Sequence, residues 1–166
     1  MERIEKQMQF ILEIDKEKQI KRKTLQSNGK DFEDDAQHAW HMAIMTLLLS
    51  EYANEKVDVL KTISMLLIHD LVEIDAGDTY AYDDQGLKTQ NERENLAANR
   101  IFNLLPEDQA KKVLHLWNEF EERRTPEAKF ARVMDNFEYI KLDRDKSTFK
   151  SHRDFSSEKE ITFKHL

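Results

Sequence analysis

The chain has 166 residues, with 26 Lys and Arg against 33 Asp and Glu, a net charge of −7. That length suits one domain with a real core, and the acid excess argues against a general nucleic-acid binder. No cysteine occurs, so disulfides and thiolate zinc sites are out, and a metal site must draw on His, Asp, Glu or carbonyl oxygens.

No apolar run approaches the roughly 18–20 residues of a membrane span. The start, "MERIEKQMQF", carries acids and lacks a signal-peptide core. The expectation is a soluble cytoplasmic protein. With 3 Gly and 2 Pro among abundant Leu, Lys, Glu and Ala, the composition favours an all-α fold.

In chain order, residues 2–24 place Ile4, Met8, Ile11, Leu12 and Ile20 among charges at roughly helical spacing. "LQSNGKDFEDD" (25–35) breaks the pattern at Asn28 and Gly29 and reads as a loop. Asp34 or Asp35 can cap the next helix. That helix, 36–53, is apolar nearly all round, which places it centrally. A third helix, 57–74, has the same character, and a loop with two glycines follows over 75–86. An amphipathic helix spans 88–105, ended by Pro106, and another spans 107–123 with Leu114, Trp117 and Phe120 near one face. Pro126 opens a last helix, 126–143, at a position that tolerates proline. Residues 144–166 are polar and weakly periodic.

Ionisable groups interrupt three of these apolar helices: His38 and His41 on the second, His69 and Asp70 near the end of the third, and Asp135 on the last. Burying such groups is costly unless they are paired or bind a metal. Positions three or four apart share a helix face, so Glu73 neighbours both His69 and Asp70. His69 and Asp70 lie about 100° apart around the helix, and both can reach one ion near its end. The set His38, His69, Asp70 and Asp135 therefore reads as a mixed imidazole–carboxylate site, suited to one divalent ion of Mn, Fe, Co, Ni or Zn rather than Ca. The bland alternative is a set of satisfied core polar groups. His41 reads as packing or hydrogen-bonding near the site, and Trp40, Trp117 and the methionines as core.

"AQHAW", "LLIHDLVEIDAGDTYAYD" and "TPEAKFARVMDNFEYI" together resemble the HD-domain metal-dependent phosphohydrolases, in particular the branch that contains the bacterial 5′-deoxynucleotidases. The likeness runs from about residue 18 to residue 140 and includes "RIFNLLPEDQA" and "LWNEFEERRTPEAKFA". It implies one HD domain over 1–166, with a helical core over about 18–143, a divergent tail over 144–166 and the metal site between helices. It matches His38, the His69-Asp70 pair and Asp135 to the metal ligands, Glu73 to the catalytic acid and Asp78 to a second catalytic carboxylate. It matches Arg22 to the arginine that binds substrate phosphate; by itself, Arg22 within "KRK" reads rather as a solvated helix face.

The implied activity is release of phosphate from a (deoxy)nucleoside 5′-monophosphate by metal-activated water. Action on a triphosphate or cyclic nucleotide, or a non-catalytic module that binds metal and nucleotide, are the alternatives. The implied partner is a small phosphorylated substrate, with neither nucleic acid nor membrane, and the apolar helices are compatible with a homodimer. The chain departs from the family pattern at Gln37 and Ala39, where Glu and a small polar residue flank the first His. It departs again at Lys23 and at Asn136, which stands where Arg or Lys often follows the last Asp.

Overall fold

The computed structural model describes residues 1–26, 28–77, 84–137, 140–143 and 148–151, with side chains at 1–26, 28–77 and 89–136. The first helix, α1 (Arg3–Ile14), starts on a capping box between Glu2 and Glu5 and is followed by a 3-10 turn, Asp15–Gln19. The chain then leaves helical geometry altogether. "KRKTL" forms strand β1 (Lys21–Leu25), paired antiparallel with β2 (Phe32–Asp34).

The expected helix over 2–24 is thus corrected: it ends at Ile14, and Arg22 stands on a strand. The physical reason lies in the turn. Asn28 Oδ1 accepts from the Lys30 and Asp31 backbone N–H groups, and Gly29 takes φ of 67°. Both are hairpin-forming devices, and the pairing they impose overrides weak helical periodicity. On β1 exposure alternates, so Arg22 and Thr24 turn inward while Lys21, Lys23 and Leu25 face outward.

Helix α2 (Asp35–Leu49) follows directly, with Asp34 as its N-cap: its side chain accepts from Gln37 N–H, and Gln37 Oε1 accepts from Asp34 N–H. Next come α3 (Val59–Ile68), a 3-10 segment His69–Val72 and the single turn α4 (Glu73–Ala76). Gly77, at φ 73°, ends that turn, a conformation that suits glycine. Helix α5 (Asp84–Phe102) begins earlier than the expected 88, absorbing the end of the acidic stretch. Helices α6 (Glu107–Glu122) and α7 (Pro126–Phe137) match their expected starts, with Pro126 as the first helical residue. A second hairpin pairs β3 (Ile140–Asp143) with β4 (Thr148–Ser151), so the last helix stops short of 143. The rest of the divergent tail, 144–147 and 152–166, lies outside the described residues.

The fold is all-α in its framework, as expected. Helix α3 packs against α2, α6 and α7 around Met42, Met65, Leu66, Phe120, Ala131 and Met134. A second cluster joins Leu71, Val72, Ile101, Phe102 and Trp117. Each large buried side chain here contributes about 1.5–3 kcal/mol. Trp117 is core, as read, but Trp40 is not: it is 65% exposed, stacked beside the exposed His41. Met1 and Met8 are likewise exposed. Helix α2 turns Trp40, Ile44, Leu47 and Leu48 outward and is central only along one side. Its composition could not say which side, because both are apolar.

Candidate active site

The fold brings one histidine from α2, one from the 3-10 segment that follows α3 and one aspartate from α7 to a common point. His38, His69 and Asp135 each offer a ligand atom, and these atoms lie within 4.8 Å of one another. His38 Nε2 is 3.2 Å from Asp135 Oδ1, and His69 Nε2 is 3.7 Å from the same oxygen. The two imidazole centroids are 6.0 Å apart. All three residues are buried.

Neighbouring groups fix the orientation of these side chains. His69 Nδ1 donates to the Leu66 carbonyl at 2.9 Å, which aims Nε2 at the cluster. There Nε2 is buried without a well-aligned hydrogen bond, although Asp70 Oδ1 is 3.1 Å away. His38 Nδ1 faces the buried carboxylate of Glu33 on β2 at 3.5 Å. Arg132 Nη1 donates to Asp135 Oδ2 at 2.7 Å, and its guanidinium lies over Phe120. Phe120 in turn meets the His69 ring edge-on at 4.9 Å, and Trp117 Nε1–H donates to the His69 carbonyl. Carboxylate and carbonyl partners on the far ring nitrogens are the usual support of metal-binding histidines. An orphaned imidazole nitrogen beside a buried carboxylate, with no thiolate in the chain, fits a divalent transition ion.

Asp70 adjoins this cluster but turns its other oxygen away. Its Oδ2 accepts from Arg22 Nη1 at 2.7 Å. The same Nη1 donates to Asp35 Oδ1 at 3.1 Å. Glu73, half-buried one turn after His69, lies beside Asp35 and Arg22. So Arg22, Asp70 and Glu73 do converge beside His38, His69 and Asp135. Asp78 lies outside the described residues.

The charges follow from this packing. Burial opposes a charged His69, yet Asp70 and Asp135 outweigh it and push the ring up to about 9. Burial also works against Asp70 and Asp135 as anions, but the histidines, with Arg22 beside Asp70 and Arg132 beside Asp135, hold both below the usual carboxylate range. For Arg22, burial is outweighed by Asp70, Glu73, Asp35 and Asp135, which keep it charged. Burial and the Asp70 charge push Asp35 up to about 7. Glu17, buried in the 3-10 turn after α1, is also pushed up to about 7 by burial and by Asp70 and Asp35. Its Oε1 has no hydrogen-bond partner among the described residues.

Two of these residues, Glu17 and Glu33, carry no signal in a chain so rich in acids, and Asp35 reads in sequence only as a candidate cap of α2. The departures also acquire reasons. Gln37 is spent on the α2 cap and on a bond from Gln26, while Glu33 supplies the carboxylate beside His38. Asn136 is buried and donates to the Arg132 carbonyl at 2.9 Å. His41, expected near the site, faces outward beside Trp40 instead: the buried face of α2 runs through Asp35, Ala39, Met42 and Thr46, His38 stands at its edge, and His41 falls beyond that edge.

Known proteins resemble this chain in sequence and fold. The HD domain family model matches residues 14–165. A curated relative, 5′-deoxynucleotidase HDDC2 from Homo sapiens, is 31% identical over 103 residues, covering 62% of this chain and 49% of that protein. The 5′-deoxynucleotidase HDDC2 from Dictyostelium discoideum is 30% identical over 139 residues, covering 80% of this chain and 73% of that protein. The chain spans about half the length of the human relative. A crystal structure described as a predicted metal-dependent phosphohydrolase, from Magnetospirillum magnetotacticum MS-1, matches with a TM-score of 0.77 and 49% identity, over 81% of this chain and 67% of that one. The chain belongs to the HD domain family.

Proposed function

We propose that the protein is a metal-dependent phosphohydrolase that releases phosphate from (deoxy)nucleoside 5′-monophosphates. The observation that supports this best is the convergence of an imidazole–carboxylate cluster, a buried arginine and a carboxyl pair at one point. The names of the relatives, 5′-deoxynucleotidases and a metal-dependent phosphohydrolase, point the same way.

In this reading His38, His69, Asp70 and Asp135 hold one divalent ion, with Mn, Co, Fe, Ni and Zn all compatible with the donors. When bound, the ion supplies a lowered water pKa and polarisation of a phosphoryl oxygen. Arg22 holds the phosphate, its planar fork matching phosphate oxygens. Glu73 positions water or hands a proton to the leaving alkoxide, with Asp78 as the second carboxylate of the proposal. Phe120 and Trp117 close the apolar side of the site and keep bulk water from His69. Among the described residues no helix is long and apolar enough to cross a membrane. We assign the exposed apolar face of α2 and α3, including Trp40, Leu47, Leu48 and Leu60, to a second copy of the chain. The acid excess leaves nucleic acid out of the reading.

The test is elemental analysis of the purified chain together with a phosphate-release screen across nucleoside mono-, tri- and cyclic phosphates. The expected result is a bound divalent ion, release from monophosphates, and loss of both on His69→Ala or Asp70→Ala. Turnover that survives metal removal would sink the proposal. Nucleotide-induced thermal stabilisation without phosphate release would mark a binding module instead.

A further inference from the structure

We propose that Asp35 is a positioning residue that fixes the Arg22 guanidinium in the site before substrate arrives. This rests on the reading of Arg22 as the phosphate-binding residue.

Asp35 is the first residue of α2 and is wholly buried. Its backbone N–H donates to the Ile20 carbonyl at 3.2 Å, just before β1, and the preceding Asp34 pairs with Lys21 across the hairpin. Helix start and strand are therefore locked together, and Arg22 is delivered beside the Asp35 carboxylate. The Arg22 side chain is only 10% exposed. Its Nη1 is gripped from two sides, by Asp35 Oδ1 at 3.1 Å and Asp70 Oδ2 at 2.7 Å.

An acid in the first turn of a helix has a plainer explanation, since it complements the helix dipole. That role does not need burial, and Asp34 already caps α2 from the neighbouring position. A buried carboxylate is costly unless it is paired, and the partner found here is the phosphate-binding arginine. An arginine loses much rotamer freedom when a ligand must immobilise it. Asp35 removes that freedom in advance, so its effect should appear in phosphate affinity and should vanish when Arg22 is gone.

The test is calorimetric titration of inorganic phosphate into the full chain, with metal content measured for each variant. Wild type is expected to bind, and Arg22→Ala to bind weakly. Asp35→Ala should weaken binding about tenfold at unchanged metal content. Asp35→Asn, whose amide oxygen still accepts from Arg22, should stay within about threefold of wild type. In an Arg22→Ala background Asp35→Ala should add nothing, since residues acting through one another are not additive. If Asp35→Ala does not fold by circular dichroism, Asp35→Leu, which fills a similar shape without an oxygen, is judged by the same criteria.

Wild-type affinity in the Asp35 variant alongside weak binding by Arg22→Ala overturns the role of Asp35 and leaves Arg22 standing. A full additional loss in the Arg22→Ala background also overturns it, showing a general structural role. Wild-type affinity in Arg22→Ala, or no phosphate binding by the wild-type chain, overturns the reading of Arg22 and this inference with it.

Discussion

Glu17→Gln should stabilise the metal-free protein at alkaline pH and destabilise it by about 1 kcal/mol at acid pH. Glu17 rises from 4.5 to about 7 on folding, because burial and the neighbouring Asp70 and Asp35 disfavour its charge. Between those values the native chain holds a proton that the unfolded chain has released, so stability falls as pH rises through the window. At about 1.4 kcal/mol per pH unit, the loss by pH 8 reaches about 3 kcal/mol at most. Glutamine has no proton to lose. Its amide needs partners in a buried place, which costs about 1 kcal/mol. The net gain at about pH 8 is then about 1–2 kcal/mol, or a rise in Tm of about 2–8 °C for a chain of this size. The assay is thermal unfolding of chelator-treated wild type and variant at about pH 5 and pH 8. A difference in Tm that is the same at both pH values would refute the reasoning. Loading the protein with a divalent ion should shrink the gain, since a cation beside Asp70 offsets the charge that Glu17 feels.

Three further outcomes test the site and the core. Glu33→Gln should weaken metal binding by about 10–100-fold while the chain stays folded, measured by competition with a chelator; unchanged affinity would show that the carboxylate does not orient His38. Because metal-free His69 keeps its proton up to about 9, ion binding below that pH must displace it. Affinity should therefore fall about tenfold per pH unit as pH drops, with proton release seen by calorimetry in buffers of different ionisation enthalpy; a pH-independent affinity in that range would contradict it. Met65→Ala, at a wholly buried position of the helical core, should cost about 2–5 kcal/mol in chemical denaturation.

The residues most legible in the sequence were those that break a pattern. His69 and Asp70 interrupt an apolar helix, and Asp135 interrupts another, so their cost of burial announced a purpose. Arg22 was harder. Its neighbours are lysines, and nothing in "KRKTL" alternates in hydropathy; the strand is imposed by the Asn28-Gly29 turn and by pairing with β2. Glu17, Glu33 and Asp35 are single acids among 33, and only tertiary packing separates a buried acid from a solvated one. Trp40 shows the reverse limit: an all-apolar helix conceals which face meets solvent. The helices themselves were readable because caps and prolines mark their starts, as Asp34 and Pro126 do.

The His38–Asp135 contact joins positions 97 residues apart. A cross-link over an interval of that size removes about 4–5 kcal/mol of chain entropy from the unfolded ensemble in the loop-closure picture. An ion held by α2, α3 and α7 would act as such a link, but a reversible one. The candidate site would then double as a clasp on the tertiary structure, and proteolytic lifetime would track metal supply. Protease resistance of the folded chain becomes a measure of site loading that needs no substrate.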